Sequence, residues 1–413
     1  MLHLGPFVTR NIPGIGGEIK RFPGDFRVTE LLARNVDRTG AWVLASVEKT
    51  NRTSFEMVQI LANQLQVDQR AVSLAGMKDA RAITRQFVAL EGVAPEAVEA
   101  IQMPNLRVLS VSTTDAPLRY GEHRGNRFDV RIRGADRSRE KHLLEILYQL
   151  DRKGVPNFYG PQRFGSKYEG AFAGRGLLHQ DFEETVFCLL AWHGGNSNNR
   201  CAKARRLFSK GDWRGALDAW PRRMFEKRRM LSRLLETKGD YRSAVESLPN
   251  RLKRLYLMGY QSHVFNLYLT VRLESYSQVL EGDLSLDVAG WGPKPTGPIF
   301  GPEMPLPSGA VLDLEMQILE QEGLSLHQPL NGSGNGMPIH GSRRPLAALA
   351  RDMAYRWDGS DLLLSFTLPP GAYATGLLGE VIKPRVRGGF GKRGSSFIGG
   401  NGGLLETSGQ RSS

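Results

Sequence analysis

Strand-patterned segments stand near both ends of this 413-residue chain, and a long, strongly basic helical stretch separates them. Near the start, "DFRVTELL" (25–32), "GAWVLASVEKT" (40–50) and "NRFDVRIRGA" (126–135) alternate with the period of half-buried strands. In the last of these, Phe128, Val130 and Ile132 share one face. "RQFVALEGV" and "RVLSVST" read as further strands. Between them, "TSFEMVQILANQLQ" (53–66) repeats apolar residues at helical spacing, with Thr53 and Ser54 as N-caps and Glu56 close behind. "SREKHLLEILYQLDRKG" (138–154) reads as an amphipathic helix that ends at Gly154 and Pro156. Far down the chain, "SDLLLSFTLPPGAYATGLLGEVI" (360–382) returns to strand followed by helix, broken at Pro369–Pro370.

Strand material so widely separated can share one sheet if the chain between leaves and comes back. The expected fold class is α+β, with a central antiparallel sheet and flanking helices. Residues 1–160 and 340–385 would form this domain, and 161–339 a largely helical insertion. A chain of 413 residues suits such a division. "AGWGPKPTGPIFGPEMPLPSG" (289–309) reads as a connection, 311–323 as helix, and "NGSGNG" (331–336) as a flexible joint. Residues 386–413 are rich in Gly and Ser and offer little to bury, so disorder is expected there.

Lys and Arg number 55 against 42 Asp and Glu, a net +13, and residues 200–254 alone hold 17 of the cations with six acids. Nearly all the excess therefore sits in the middle block. Its cations are poorly balanced by acids one turn away, and aromatic residues are interleaved (Phe208, Trp213, Trp220, Phe225, Tyr241, Tyr256). That pattern points to a nucleic-acid partner, with Arg222, Arg223, Arg228 and Arg229 as candidate RNA contacts. A solvated set of helix faces is the plain alternative. A membrane partner is disfavoured, because no apolar run approaches the ~18–20 residues needed to span a bilayer. The opening "MLHLGPFVTRNIPG" lacks the basic start and apolar stretch of a secretory signal, and a cytoplasmic location is expected. Cys188 and Cys201 match no zinc or redox spacing, and there is no HExxH, GxGxxG or GxxxxGKS. Neither a metal nor a nucleotide cofactor is expected; an enzyme built this way works with side chains alone.

The stretch "AGMKDARAITRQF" (75–87) supplies one carboxylate, Asp79, after the flexible Gly76–Met77 and among Lys78, Arg81 and Arg85. Its "GMKDARAITRQ" (76–86) resembles the GxKDxxAxTxQ signature of the TruD family of pseudouridine synthases. "FPGDFRVTE" (22–30), "RGNRFDV" (124–130), "NFYGPQRFG" (157–165) and "FTLPPGAYAT" (366–375) are similar to family stretches in the same order. "YQSHVFN" (260–266) and "TGPIFG" (296–301) add segments from the middle block, so the resemblance runs over about residues 15–385.

The resemblance implies a pseudouridine-synthase core with an inserted domain, and isomerisation of a uridine in tRNA, typically at position 13. It implies Asp79 as the catalytic residue, and Phe26, Phe128 and Phe366 as pocket walls with Asn126 hydrogen-bonding the substrate. Taken alone, each Phe would read as core packing and Asn126 as a turn residue. One acid suffices for this chemistry: no water is activated, and the base never departs. The carboxylate can act as nucleophile at C1′ or as base at C2′–H. Lys20 and Lys78 are candidate partners of that carboxylate, or grips for flanking phosphates. The family often has a basic residue where Ala80 stands, and Arg81 is a candidate substitute. Gln162 and Arg163 could fix the pocket or the RNA, whereas Tyr373 reads as part of a strand-to-helix turn. The expected partner is tRNA, acted on by a monomer. The alternatives are an RNA-binding protein without catalysis, a synthase acting on another RNA, or a hydrolase of some other nucleic-acid glycosidic bond.

Overall fold

A computed structural model describes residues 5–33, 40–160, 163–164, 168–191, 199–326 and 339–383. The Gly-rich tail and the "NGSGNG" joint lie outside these residues. Strands β1 (Phe26–Leu32), β2 (Trp42–Thr50), β3 (Val72–Leu74), β4 (Ile83–Glu91), β5 (Gln102–Met103), β6 (Leu106–Thr114) and β7 (His123–Ile132) come from the first part of the chain. The hairpin Arg351–Asp358 and Asp361–Leu368 comes from the last and joins the same nine-stranded sheet. The spatial order runs from 351–358 through 361–368, β7, β1, β4, β2 and β6 to β5, with β3 also on β4. Every pairing in this sheet is antiparallel except β1 with β4. That parallel contact joins strands distant in sequence, so no local turn signal announces it.

Two apolar cores form on one face. Phe26, Val28, Phe128, Val130, Ile132, Leu364 and Phe366 pack against helices Glu140–Lys153 and Ala374–Ile382. Val43, Ala45, Val47, Val88 and Leu90 pack against helix Ser54–Leu65. The pairing Val28↔Thr84 puts the even positions of β1 and β4 on the same side, so both cores lie on the same face. Thr53 caps the Ser54–Leu65 helix, and Glu56 returns the bond to the Thr53 N–H, the reciprocal box expected from the sequence.

The middle block is helical: Glu169–Leu178, Phe182–Leu190, Arg200–Ser209, Trp213–Ala219, Phe225–Glu236, Tyr241–Glu246 and Asn250–Val271 share a separate core. The supposed connection at 289–309 holds a strand instead, Pro293–Ile299, which pairs with Ser285–Asp287 at one end and Ser342–Pro345 at the other. Each half has one neighbour, so its prolines sit in edge-like positions that need no second donor. The chain re-enters the first domain at Ala347–Ala348, which pairs with Val155–Pro156.

Candidate active site

Between the two apolar cores the same sheet face carries a polar strip. Glu30 opposes Asn126, Val28 opposes both Thr84 and Phe128, and Lys49 opposes Thr84. Strand alternation then aims Glu30, Thr84, Gln86, Lys49 and Asn126 at the loop that runs from β3 to β4. All but Asn126 are almost wholly buried. The loop is pinned to this strip. Gln86 Nε2 donates to the Gly76 carbonyl, and Ser54 Oγ donates to Gln86 Oε1 while accepting the Lys78 N–H. The Gly121 N–H holds the Ala75 carbonyl at 2.7 Å, and the Asn51 N–H holds that of Ala82.

Asp79 rides on this loop. Lys20 Nζ donates to its Oδ1 at 2.8 Å, with the two side chains 20% and 30% exposed. The same ammonium lies 3.9 Å from the centre of the Phe26 ring, a cation–π contact that fixes the amine from below. Lys20 reaches this place with φ +59°, a left-handed conformation that costs a side-chain-bearing residue about 1–2 kcal/mol. Among the described residues nothing bonds Oδ2, so one carboxylate oxygen is held and the other is free.

The structure treats the other sequence candidates unequally. Lys78 does not face Asp79: its ammonium is 4% exposed and sits 2.5 Å from Glu30 Oε1, off the line of a well-aligned hydrogen bond. The pair keeps both charges away from solvent, where a phosphate would have to reach them. Phe128 stacks on Phe366 at 5.3 Å and meets Phe26 edge-on at 6.0 Å. All three are buried, with Phe26 and Phe366 at 1% and 0% exposure, so these two back the wall rather than surface it. Asn126 lies inside β7, not in a turn; Gly125 before it, at φ +150°, has no room for a Cβ, which would come 2.4 Å from the Leu368 carbonyl oxygen. Among the described residues nothing bonds the buried Asn126 Oδ1, while its amide nitrogen approaches His123 Nε2 at 3.4 Å.

Arg222, Arg223 and Arg229 are exposed, as an RNA contact requires. Arg228 is not available in that way: its guanidinium donates to the carbonyls of Leu217 and Trp220 and closes the end of the Trp213–Ala219 helix. Gln162 lies outside the described residues. Arg163 bonds Ser262 Oγ at 3.0 Å, Arg81 is exposed and without a partner among the described residues, and Tyr373 stands just before helix Ala374–Ile382 without a side-chain cap bond.

Lys49 and His123 stand outside the quoted motifs, and Glu30, Ser54 and Gln86 lie within quoted stretches but received no role at the site. A signal for two of them was present. Lys49 is in phase with Val43, Ala45 and Val47, and Glu30 with Phe26 and Val28, so each is a charge on a core-facing position. Burial pushes the Lys49 ammonium down to about 8, Asp79 and Glu56 acting the other way and Lys78 with it. Burial, helped by Lys78, likewise lowers His123 and favours its neutral ring.

An interrupted α+β sheet, two helix-backed cores and one half-free carboxylate between them make up a pseudouridine-synthase core carrying an inserted domain. The family model for tRNA pseudouridine synthase D (TruD) matches residues 6–291 and 289–381. The chain belongs to the TruD family. It is 34% identical over 396 residues to the tRNA pseudouridine synthase D of Geotalea daltonii, covering 92% of this chain and 99% of that one. The protein of the same name from Geobacter sp. strain M21 is 36% identical, over 91% and 99% of the two chains. A crystal structure of a candidate tRNA pseudouridine synthase D from Methanosarcina mazei superposes with a TM-score of 0.74 at 25% identity, covering 92% of this chain and 97% of that chain.

Proposed function

We propose that this chain converts a uridine of tRNA, the one at position 13, to pseudouridine, with Asp79 as its reacting acid. The observation that carries the reading is the Asp79 carboxylate itself, held through Oδ1 by Lys20 with Oδ2 free, on a loop pinned at several main-chain groups. Fixing one oxygen orients the second toward an incoming ribose, so little geometric freedom is lost at the moment of reaction. On the nucleophilic route Oδ2 bonds C1′ and N1 leaves with the bond's electron pair. The base turns and C5 takes C1′ back from the carboxylate. C5 then loses its proton and N1 carries one, so reactant and product are isomers. On the other route the same oxygen takes the C2′ proton as N1 leaves with its bond pair, which makes a C1′=C2′ double bond; the proton returns to C2′ as C5 bonds C1′, and C5 then gives up its proton while N1 gains one.

A uridine must be flipped out of folded RNA to reach such a group. Asn126 Oδ1, which lacks a partner among the described residues, suits the uracil N3–H, and Phe128 with Phe26 and Phe366 behind it supplies an apolar wall. The exposed Arg222, Arg223 and Arg229 would grip phosphates from the inserted block, residues 161–339, while 1–160 and 340–385 hold the chemistry. Among the described residues no helix is long and apolar enough to cross a membrane. We take the protein to act in the cytoplasm, as a monomer.

The test is to incubate purified protein with an unmodified tRNA transcript and map pseudouridine, comparing wild type with Asp79→Asn. Product from wild type alone supports the assignment. Tight RNA binding with no product from either would make this a binding protein, and free uracil would make it a hydrolase.

A further inference from the structure

Lys49 has features that a structural lysine does not need. It lies in the interior of β2, 1% exposed, in phase with three apolar residues. Among the described residues no carboxylate pairs with it. Its ammonium instead donates to two main-chain carbonyls, that of Arg52 at 2.7 Å and that of Asp79 at 2.9 Å. Arg52 directly precedes the Thr53 cap, so the Arg52 carbonyl is anchored to a rigid helix start. The opposite end of the bridge is the peptide of the reacting residue.

We propose that Lys49 is a positioning residue for the isomerisation: its buried ammonium ties the Asp79 peptide to the start of helix Ser54–Leu65 and so sets where the carboxylate stands. Lys20 holds Asp79 by its side chain and Lys49 by its backbone. Together they remove both the rotation of the carboxylate and the drift of its loop. Three charged groups face the amine: Asp79 and Lys78 from the loop and Glu56 from the first turn of the helix. Losing the proton removes one of three donors and the charge that strengthens the other two. The tether therefore weakens as the amine titrates.

The proposal rests on Asp79 as the reacting acid, and the experiment separates the two claims. Single-turnover rates on saturating tRNA transcript, with the RNA dissociation constant measured alongside, are compared for wild type, Lys49→Arg, Lys49→Met and Asp79→Asn. For Lys49→Met we expect the rate to fall about 10- to 100-fold, the range that a displacement near 1 Å can cause, with RNA affinity changed less than about twofold. Wild type should lose rate as the pH rises through about 8, and Lys49→Arg should recover most of the neutral-pH rate without that decline. Titration of the RNA itself is common to all four proteins and cancels. Lys49→Met at the wild-type rate, or a high-pH decline identical in wild type and Lys49→Arg, overturns the role of Lys49. If Lys49→Met does not fold, the wild-type and Lys49→Arg profiles decide alone. Full activity in Asp79→Asn would instead remove the reading of Asp79, whatever Lys49 does.

Discussion

Replacing Lys78 by Met separates two roles that the lysine preceding Asp79 in sequence could have. Lys78 and Glu30 are 4% and 0% exposed, so the substitution leaves a carboxylate in a buried site where, among the described residues, only the Phe87 N–H, at 2.8 Å, holds it. Breaking a buried pair by removing one partner costs about 3–5 kcal/mol. At roughly 2–4 °C per kcal/mol for a unit of 150–250 residues, the melting midpoint should fall by roughly 6–20 °C. Glu30→Gln should cost a similar amount by stranding the ammonium. The double variant Glu30→Gln/Lys78→Met removes both charges, so its loss should be smaller than either single loss, a coupling of about 3 kcal/mol or more. Urea and thermal melts by circular dichroism give the four corners of the cycle, and hydrogen exchange at the amides of 76–82 reports whether the loop loosens. A Lys78→Met protein with an unchanged midpoint, unchanged exchange and weakened RNA binding would refute the reasoning, because it would put the amine on the substrate.

Ala at Arg222, Arg223 and Arg229 together should flatten the salt dependence of RNA binding, by up to about 0.9 in slope for each duplex phosphate no longer neutralised; an unchanged slope assigns them to ordinary helix surface. Arg228→Ala should leave that slope alone and lower the melting midpoint, because its guanidinium serves two carbonyls of its own chain. Asn126→Ala should reduce kcat/KM for tRNA by about 2- to 12-fold, the worth of one neutral hydrogen bond, and no change would end its base-reading role. The Asp25 carboxyl is held below its ordinary 3.8 chiefly by its hydrogen bonds from Arg133. Its stabilisation is therefore present above that value and lost as the pH falls below it. Urea midpoints should drop more steeply in acid for wild type than for Asp25→Asn.

What could be read from the sequence was mostly what local chemistry dictates. The alternation of β1, β2 and β7 and the Thr53–Glu56 box each depend on a few adjacent residues, and each formed where expected. Elements that depend on distant partners were harder to see. The strand Arg351–Asp358 turns Met353, Tyr355 and Trp357 to the core but carries Asp352, Arg356 and Asp358 outward, the polar dress of an edge strand. Pro293–Ile299 has the composition of a loop and becomes a strand only because two separate segments each pair with half of it. Motifs mark Asp79 and Asn126 as candidates, whereas Lys20 lies outside every quoted stretch and reads only as a candidate cation. The pairing of Lys78 could not be read, since nothing adjacent to it reveals that Glu30 lies beneath the loop.

The charges under this loop oppose stability, and that opposition bears on why they are there. A Lys49 ammonium brought from 10.5 to about 8 is disfavoured by about 3 kcal/mol relative to the unfolded chain at neutral pH. The sign follows from proton counts. Between those values the unfolded chain keeps a proton that the folded one releases, so the penalty is full below about 8 and fades as the pH rises toward 10.5. A position in phase with Val43, Ala45 and Val47 would accept an aliphatic side chain without that penalty. The Glu30–Lys78 pair is likewise a poor source of net stability compared with apolar packing. What both provide is fixed geometry beneath the loop that carries Asp79, the one acid in the proposed reaction. In such a site a misplaced carboxylate has no substitute, so rigidity is obtained with buried charges even where packing alone would give the more stable protein.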